Sequence, residues 1–433
     1  MSNKGKTPLV PKLRFREFRN GNPWTEELMN EVYCFKGNNS LSRDRLNYVG
    51  GTIKNIHYGD IHTKFSTHFD ITREEAPYIN ESDSPESPKA GNFCIEGDLI
   101  FADASEDLED IGKAIEIIQL NGEQVVSGLH TILARQTKSK LVAGFGGYLF
   151  KSERVRSQIK RESQGAKVLG LASSRLAKIK LIFPCSAEEQ KKVVECLSSL
   201  DELIAAQACK VNALKNHKKG LLQQLFPLEG ETQPRLRFPG FRSAGEWEER
   251  NAGSLFVNRT TKGEDGLPIY SVTMNDGMVK RNSLDRKVDD IVDASGNKKV
   301  LKNDIAYNMM RMWQGAMGVA PEDCLVSPAY VVLAPKKDAV PQFFQYMFKR
   351  PEMLLLLTAH SRGLTKDRLR LYFDDFARMT FRCPTAKEQQ RIADFLRSLD
   401  DCIATQSQAL ESLKIHKKGL MQQLFPSAEA LEA

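Results

Sequence analysis

The chain repeats itself, which restricts it to folds that two similar halves can build together. Residues 186–227 read SAEEQKKVVECLSSLDELIAAQACKVNALKNHKKGLLQQLFP, and 385–426 read TAKEQQRIADFLRSLDDCIATQSQALESLKIHKKGLMQQLFP. The offset is 199 without a gap, and about half the positions are identical. A second pair opens each half: PKLRFREFRNGNPW, ending at Trp24, and PRLRFPGFRSAGEW, ending at Trp247, with an offset of 223. Each half therefore runs from an LRF opening to an LFP close, and the first is longer by 24 residues. Length alone, at 433 residues, allows about two to four domains; the repeat resolves it into two halves. The middles share only echoes: Gly97-Asp98-Leu99-Ile100-Phe101 with Asn303-Asp304-Ile305-Ala306-Tyr307, Val126-Ser127 with Val326-Ser327, and Tyr148 and Phe150 with Tyr346 and Phe348. Two modules of one fold, diverged in their middles, suit one job done on two targets.

The middles, about 28–140 and 251–336, read as short strands with Gly, Asn and Asp turns. Asp98–Ala102, Ala114–Ile118, Thr131–Ala134 and Tyr330–Leu333 are examples. A helical stretch follows each, near 146–163 and 341–360, and the GFGG at 144–147 starts the first. The module is mixed α/β, with its strand order left open.

The closing segments read as helices. Apolar residues fall at Val193, Leu197, Leu200, Ile204, Val211, Leu214, Leu221 and Leu225. The second copy has Ile392, Leu396, Leu399, Ile403, Leu410, Leu413, Leu420 and Leu424. Steps of four and three alternate once the polar residues Gln207, Lys218, Gln406 and Lys417 fill the vacancies. A 3.5-residue period of this length, present twice, indicates a coiled coil; two amphipathic helices packed on separate domains are the alternative. A lysine in an apolar seam is costly unless it meets a polar partner or reaches the edge. An antiparallel register sets Gln207 against Lys417 and Lys218 against Gln406, and pairs Leu200 with Leu424, Ile204 with Leu420 and Val211 with Leu413. A parallel pair would face Lys with Lys. The expected pair is thus antiparallel, with a pseudo-two-fold axis and a variable module at each end. Roughly 26 residues of overlap at about 1.5 Å each span about 39 Å. One duplex turn is about 34–36 Å, so the arrangement suits two separated DNA half-sites.

Composition excludes several classes. Lys and Arg total 62 against 55 Asp and Glu, a net charge of +7, which permits nucleic-acid binding without requiring it. No apolar run approaches the roughly 20 residues of a membrane span, and the candidate Met353–Leu357 is far too short. Lys4, Lys6 and Lys12 precede no apolar stretch of the kind a signal peptide has. Eight cysteines form no CxxC pair and seven histidines no HExxH. A reduced, cytoplasmic setting without structural zinc is expected.

The chain resembles the specificity subunit of type I restriction–modification systems. The resemblance is carried by the EEQ/KEQ-to-QQLFP helices, the LRF openers, HYGDIHTKF at 57–65, and NMMRMWQGAMG at 308–318 followed by VSPAYVVLAP. It implies a mixed α/β (α+β) fold with two tandem target recognition domains, at 1–183 and 228–382. Between them would lie an antiparallel two-helix coiled coil of spacer helices, at 184–227 and 383–426, with 427–433 a tail. It also implies that each recognition domain reads one half of a bipartite double-stranded DNA site. The helices would dock two adenine methyltransferase subunits, which recruit ATP-dependent restriction subunits. This chain would bind no cofactor; S-adenosylmethionine, ATP and Mg would belong to the partners.

Motif searches agree that catalysis lies elsewhere. The nearest approach to an adenine-methyltransferase Asn/Asp-Pro-Pro-aromatic motif is Asn22-Pro23-Trp24 in the repeated opener. Gly5-Lys6-Thr7 lacks the strand and glycine that a phosphate-cradling loop requires. Two alternatives stay open: the recognition portion of a single-chain restriction–methylation enzyme, and a stand-alone DNA-binding regulator. Copurification of a methyltransferase discriminates them.

Charge is segregated in the first module. Lys138–Lys180 holds 11 basic and two acidic residues, whereas Asp70–Glu123 holds 15 acidic and three basic. Lys151, Arg154, Arg156, Lys160, Arg161 and Lys167 are phosphate candidates; the acidic stretch reads as solvated loop, with contact to the methyltransferase partner as the alternative. Base reading requires paired donors and acceptors at groove depth. Asn55, His57, Tyr58, His62 and Lys64 form one such set, and Ser173, Ser174 and Arg175 a contact loop. In the second module Asn308, Arg311, Trp313 and Gln314 combine donors with an aromatic, while Met309, Met310 and Met312 read as packing. Ser361, Arg362, Lys366, Arg368 and Arg370 repeat the basic-loop theme of 164–175. Lys160→Ala is expected to weaken binding to all sequences alike.

Overall fold

A computed structural model describes residues 9–80, 90–284 and 294–426. Gly5-Lys6-Thr7, part of the acidic stretch and the 427–433 tail lie outside the described residues. The chain forms two compact units: 1–207 with 409–433, and 208–408.

The first unit is built on a five-stranded sheet ordered Tyr33–Lys36, Thr131–Gln136, Leu99–Ala102, Ala114–Gln119, His68–Asp70. The first four strands are antiparallel neighbours, and the last pair is parallel. Successive side chains of a strand face opposite ways. Leu99 and Phe101 thus enter one core, with Phe145, Tyr148 and Phe150 of the following helices. Ile100 and Ala102 enter another, with Ile56, Phe69 and Ile117. Burial on both faces is why the strand reads as an unbroken apolar run.

The second unit orders Phe256–Asn258, Tyr330–Pro335, Ile305–Asn308 and Met317–Val319, all antiparallel. That is the order of the first four strands of the other unit, so the halves share their central sheet. The excursions differ. The first unit adds a second sheet of Gln124–Ser127, Ile53–Ile56, Tyr78–Ile79 and Leu46–Asn47. The second carries two ribbons, Tyr270–Val272 with Met278–Lys280 and Lys298–Val300 with Cys324–Val326.

Each expected helical stretch is a broken pair: Phe145–Lys151 with Glu153–Glu162, and Pro341–Phe348 with Pro351–Ala359. Arg350 is extended (ψ 145°), because Pro351 disfavours helical backbone before it. Gly144 precedes the first helix at φ +87°, a conformation a side chain resists. The carboxylate of buried Glu116 accepts the N–H groups of Gly144 and Gly147 at 2.7 and 2.6 Å.

The repeated motifs meet inside each unit. Arg14 of the first LRF opener donates Nε and Nη2 to the two carboxylate oxygens of Glu189, both at 2.7 Å. Arg237 of the second opener does the same to Glu388, both at 2.7 Å. Both pairs are buried. The neighbouring glutamine ties the helix start to its module: Gln190 donates to the carbonyls of Lys140 and Pro184, and Gln389 to those of Asp338 and Pro384. The LFP ends close on the opener tryptophans. Phe425 packs on Trp24 and Phe145, and Phe226 on Trp247 and Phe343.

The long helices are Ala187–Leu225 and Ala386–Leu424. In the first unit Val193 and Leu197 share a core with Leu420 and Leu424, and Asp201 pairs with Lys417. Numbers climb on one helix as they fall on the other, so the packing is antiparallel. In the second unit Leu221 and Leu225 join Ile392 and Leu396, and Lys218 pairs with Asp400. Each seam lysine pairs with an aspartate that the seam arithmetic omitted. A tyrosine completes the clasp: Tyr148 donates to Asp201 at 2.8 Å and Tyr346 to Asp400 at 2.7 Å. Lys417 and Lys218 lie over those two rings.

Two outcomes follow for stability. Arg14→Ala strands a buried carboxylate, so the first unit loses about 3–5 kcal/mol, measured by urea unfolding with tryptophan fluorescence. Burial raises the Glu116 carboxyl to about 7, above its unfolded value of about 4.3. The folded chain then keeps a proton that the unfolded chain releases. Its contribution is full below about pH 4.3 and fades as pH rises through about 7. Glu116→Gln removes that fall in urea midpoint between pH 5 and 8.

Candidate nucleic-acid interface

The first candidate cluster begins on Ile53–Ile56 and the helix that follows. Asn55 is fully buried, and its Oδ1 accepts from Asn39 at 2.6 Å. It is a sheet residue with its side chain inside the fold rather than on a loop, unlike the loop-like setting expected for it. His57 is also buried. Its Nδ1 accepts the Gly59 N–H at 3.2 Å and caps the helix Tyr58–Thr63. Burial, then nearby Arg43, lower its pKa, which disfavours the charged imidazolium. Tyr58 is half-buried and makes ring contacts with His57, His62 and His130 at 4.6, 6.0 and 5.3 Å. The Nε2 of His62 donates to the Ala104 carbonyl at 3.0 Å. Lys64 is exposed and donates to the Tyr48 hydroxyl at 2.7 Å.

The Ala104 carbonyl joins this cluster to the basic loop. Ala104–Ser105 pairs with Leu169–Gly170, and Leu171 N–H donates to the Asp103 carbonyl at 2.8 Å. Asp103 meets His130 at 3.2 Å. Tyr58, His62, His130 and the loop bearing Lys167 therefore surround one short segment. Arg161, Lys167, Ser173 and Ser174 are exposed there, and Arg175 is half-buried beside Glu162.

Other basic candidates face inward. Arg154 is buried against Glu26. Arg156 donates to the carbonyls of Glu109 and Ile111 at 2.8 and 2.7 Å, and Lys160 pairs with Glu109. The acidic stretch is not simply solvated loop. Asp98 and Glu116 are buried, and Asp98 holds Arg135 at 2.7 Å. Lys160 and Glu109 join the basic and acidic stretches, whereas Lys140, Arg154 and Lys180 pair with Glu27 and Glu26 outside the acidic stretch.

In the second unit Asn308 ends a strand, and its Oδ1 accepts the Met310 N–H at 3.0 Å. The turn that follows exposes Arg311 and Gln314, with Trp313 half-buried and its Nε1 donating to the Met310 carbonyl at 3.0 Å. Met312 is core and Met309 packs against it, but Met310 is 41% exposed, so it belongs to the surface rather than the packing. The basic loop closes through reciprocal Arg362 and Arg370 backbone bonds of 2.9 and 2.8 Å. Arg362 is anchored on Asp375, while Lys366 and Arg368 are exposed. Leu371 N–H donates to the Met309 carbonyl at 3.0 Å. Two sets 50 residues apart in sequence thus form one surface of donors, cations and an aromatic.

Sequence reasoning missed Arg43, Tyr48 and His130 around the Tyr58 cluster. The RDRLNYVGG run at 43–51 carried a legible signal, a basic and aromatic segment ending in glycines. His130 had none, because only the fold brings it to Tyr58. Among the described residues no His, Cys, Asp and Glu grouping could hold a metal, no helix is long and apolar enough to cross a membrane, and all eight cysteines are free.

Each half carries a matching sheet with a different polar surface on it. A family model described as the type I restriction modification DNA specificity domain matches residues 54–216 and 245–414, one match per half. The chain belongs to that family of specificity proteins. It is 23% identical over 355 residues to the putative type I restriction enzyme MjaX specificity subunit of Methanocaldococcus jannaschii, covering 76% of this chain and 78% of that one. It is 24% identical over 197 residues to the type I restriction enzyme HindI specificity subunit of Haemophilus influenzae, covering 43% and 42%. In fold it is similar to the S subunit of a type I restriction–modification system from M. genitalium. The TM-score is 0.55 at 14% identity, covering 96% of this chain and 99% of that one. A chain from a study of complex assembly and conformational transition of the type I R-M system gives 0.52 at 15% identity, covering 94% and 98%.

Arg311→Ala is expected to lower affinity for one half-site by about 1–3 kcal/mol and to leave the other half-site and random duplex unchanged. Fluorescence anisotropy on duplexes altered in one half-site measures it.

Proposed function

We propose that this chain is the sequence-reading subunit of a type I restriction–modification complex, each half reading one part of a bipartite DNA site. The observation that carries the reading is the common four-strand order of the two units under unlike surface turns. A shared scaffold with different side chains at 308–314 and 57–64 fits two readers of two sequences. Cations and hydrogen-bonding groups beside an aromatic are the chemistry that duplex recognition uses.

On this reading the chain has no catalysis of its own. Its repeated helices dock two adenine methyltransferase subunits, and restriction subunits join through them. S-adenosylmethionine, ATP and Mg act in those partners, and the setting is the cytoplasm. Support comes from family membership and from a repeat that gives both halves the same helix surface. Mapping methylated adenines in cells with and without the chain tests it. The expected result is a two-part motif with a fixed gap that disappears on deletion. A continuous motif, or no change, overturns the reading.

A further inference from the structure

Each unit carries a cationic cleft beside the end of a long helix. In the first, Lys414, Lys417 and Lys418 face Lys151, Arg156 and Lys160 across a cavity of about 560 Å³. Its lining holds seven Lys and Arg against three Asp and Glu. In the second, Lys215, Lys218 and Lys219 face Lys349 and Arg350 across about 520 Å³, with five cations against two anions. The helix lysines are the same repeat positions at an offset of 199.

Both clefts are short of negative charge. Burial and neighbouring Lys417 push the Lys151 ammonium down to about 8, although much of that side chain is exposed. Burial lowers Lys349 as well. Arg156 lines the cleft, and its buried Nη1 has no hydrogen-bond partner among the described residues. Lys417, Lys160, Lys113 and Lys414 are offset by Asp201, Glu109, Asp110 and Glu411, and Lys218 and Arg350 by Asp400 and Glu352. That leaves Lys151, Arg156 and Lys418 in the first cleft, and Lys215, Lys219 and Lys349 in the second, with no carboxylate of their own in reach among the described residues.

We propose that the two clefts are clamps for DNA backbone phosphates and hold duplex irrespective of its sequence. This rests on the reading of the chain as a DNA-binding subunit. The helix lysines are identical in both halves, so they cannot distinguish two targets; the phosphodiester is the group common to every target. A tetrahedral phosphate presents oxygens to amines on both walls of a recess, and lysines meet it as point charges. An acidic protein surface is the competing occupant.

The test uses the full chain with Lys414→Gln and Lys418→Gln, or Lys215→Gln and Lys219→Gln, which spare the lysines paired to Asp201 and Asp400. Binding is measured over a salt series to a duplex carrying the methylated motif and to a random duplex of equal length. Each double variant is expected to lose about three- to tenfold on both duplexes by one factor. The slope of log affinity against log salt should shrink by about one to two, with the methylated motif unchanged. The charge-keeping pairs Lys414→Arg with Lys418→Arg, and Lys215→Arg with Lys219→Arg, should retain both affinities. Unchanged affinities in the glutamine variants overturn the clamp, as does loss on the motif duplex alone. Loss of a copurifying methyltransferase with DNA binding intact assigns the clefts to an acidic protein instead and also overturns it. A wild-type chain that binds neither duplex overturns the DNA-binding reading itself, whereas wild-type binding matched by the glutamine variants overturns only the clamp.

Discussion

The structure depends on a buried arginine–glutamate pair that occurs twice. Arg14 reaches Glu189, and Arg237 reaches Glu388, each through two parallel charge-assisted bonds. Such a pair is useful only if both partners arrive together, since a buried charge left alone is costly. Each pair ties the opening of its half to the start of that half's long helix, more than 150 residues later. The fork of arginine matches the carboxylate in a way that lysine would not. The module between the two marks is thereby closed, and its interior can change without loosening its ends.

The end of each long helix has a second task. Phe425 and Phe226 seal the opener tryptophans, and Lys417 and Lys218 enter the aspartate–tyrosine clasps. The repeated residues are therefore chiefly structural, and the unlike turns carry what distinguishes the halves. The same division explains the charge. Most cations of the first module hold carboxylates and carbonyls of their own fold, so only a subset remains for a ligand.

Much of this was legible in the sequence, for local reasons. The heptad spacing marked both long helices, and the lysine vacancies argued for antiparallel packing. The apolar runs at 98–102 and 131–134 marked central strands. What the vacancies could not show was their answer, because Asp201 and Asp400 lie outside the seam and Tyr148 and Tyr346 come from the modules. The candidate site was legible in part. Arg311, Gln314, Lys366 and Arg368 are exposed as a reading surface requires. Asn55, His57 and Arg154 have the same chemistry but are buried, and polarity alone cannot separate a surface donor from one that satisfies a core.

The sequence by itself determined that the chain is two copies of one plan, each with a helix whose apolar stripe requires a partner. Periodicity and repetition are local properties, written in order along the chain. Tertiary structure decided which charges meet and which polar groups remain for a ligand, because burial depends on segments far apart in the chain. Glu116 shows the difference: one carboxylate among fifteen in an acidic stretch, it caps a helix inside the core because the central sheet carries it there.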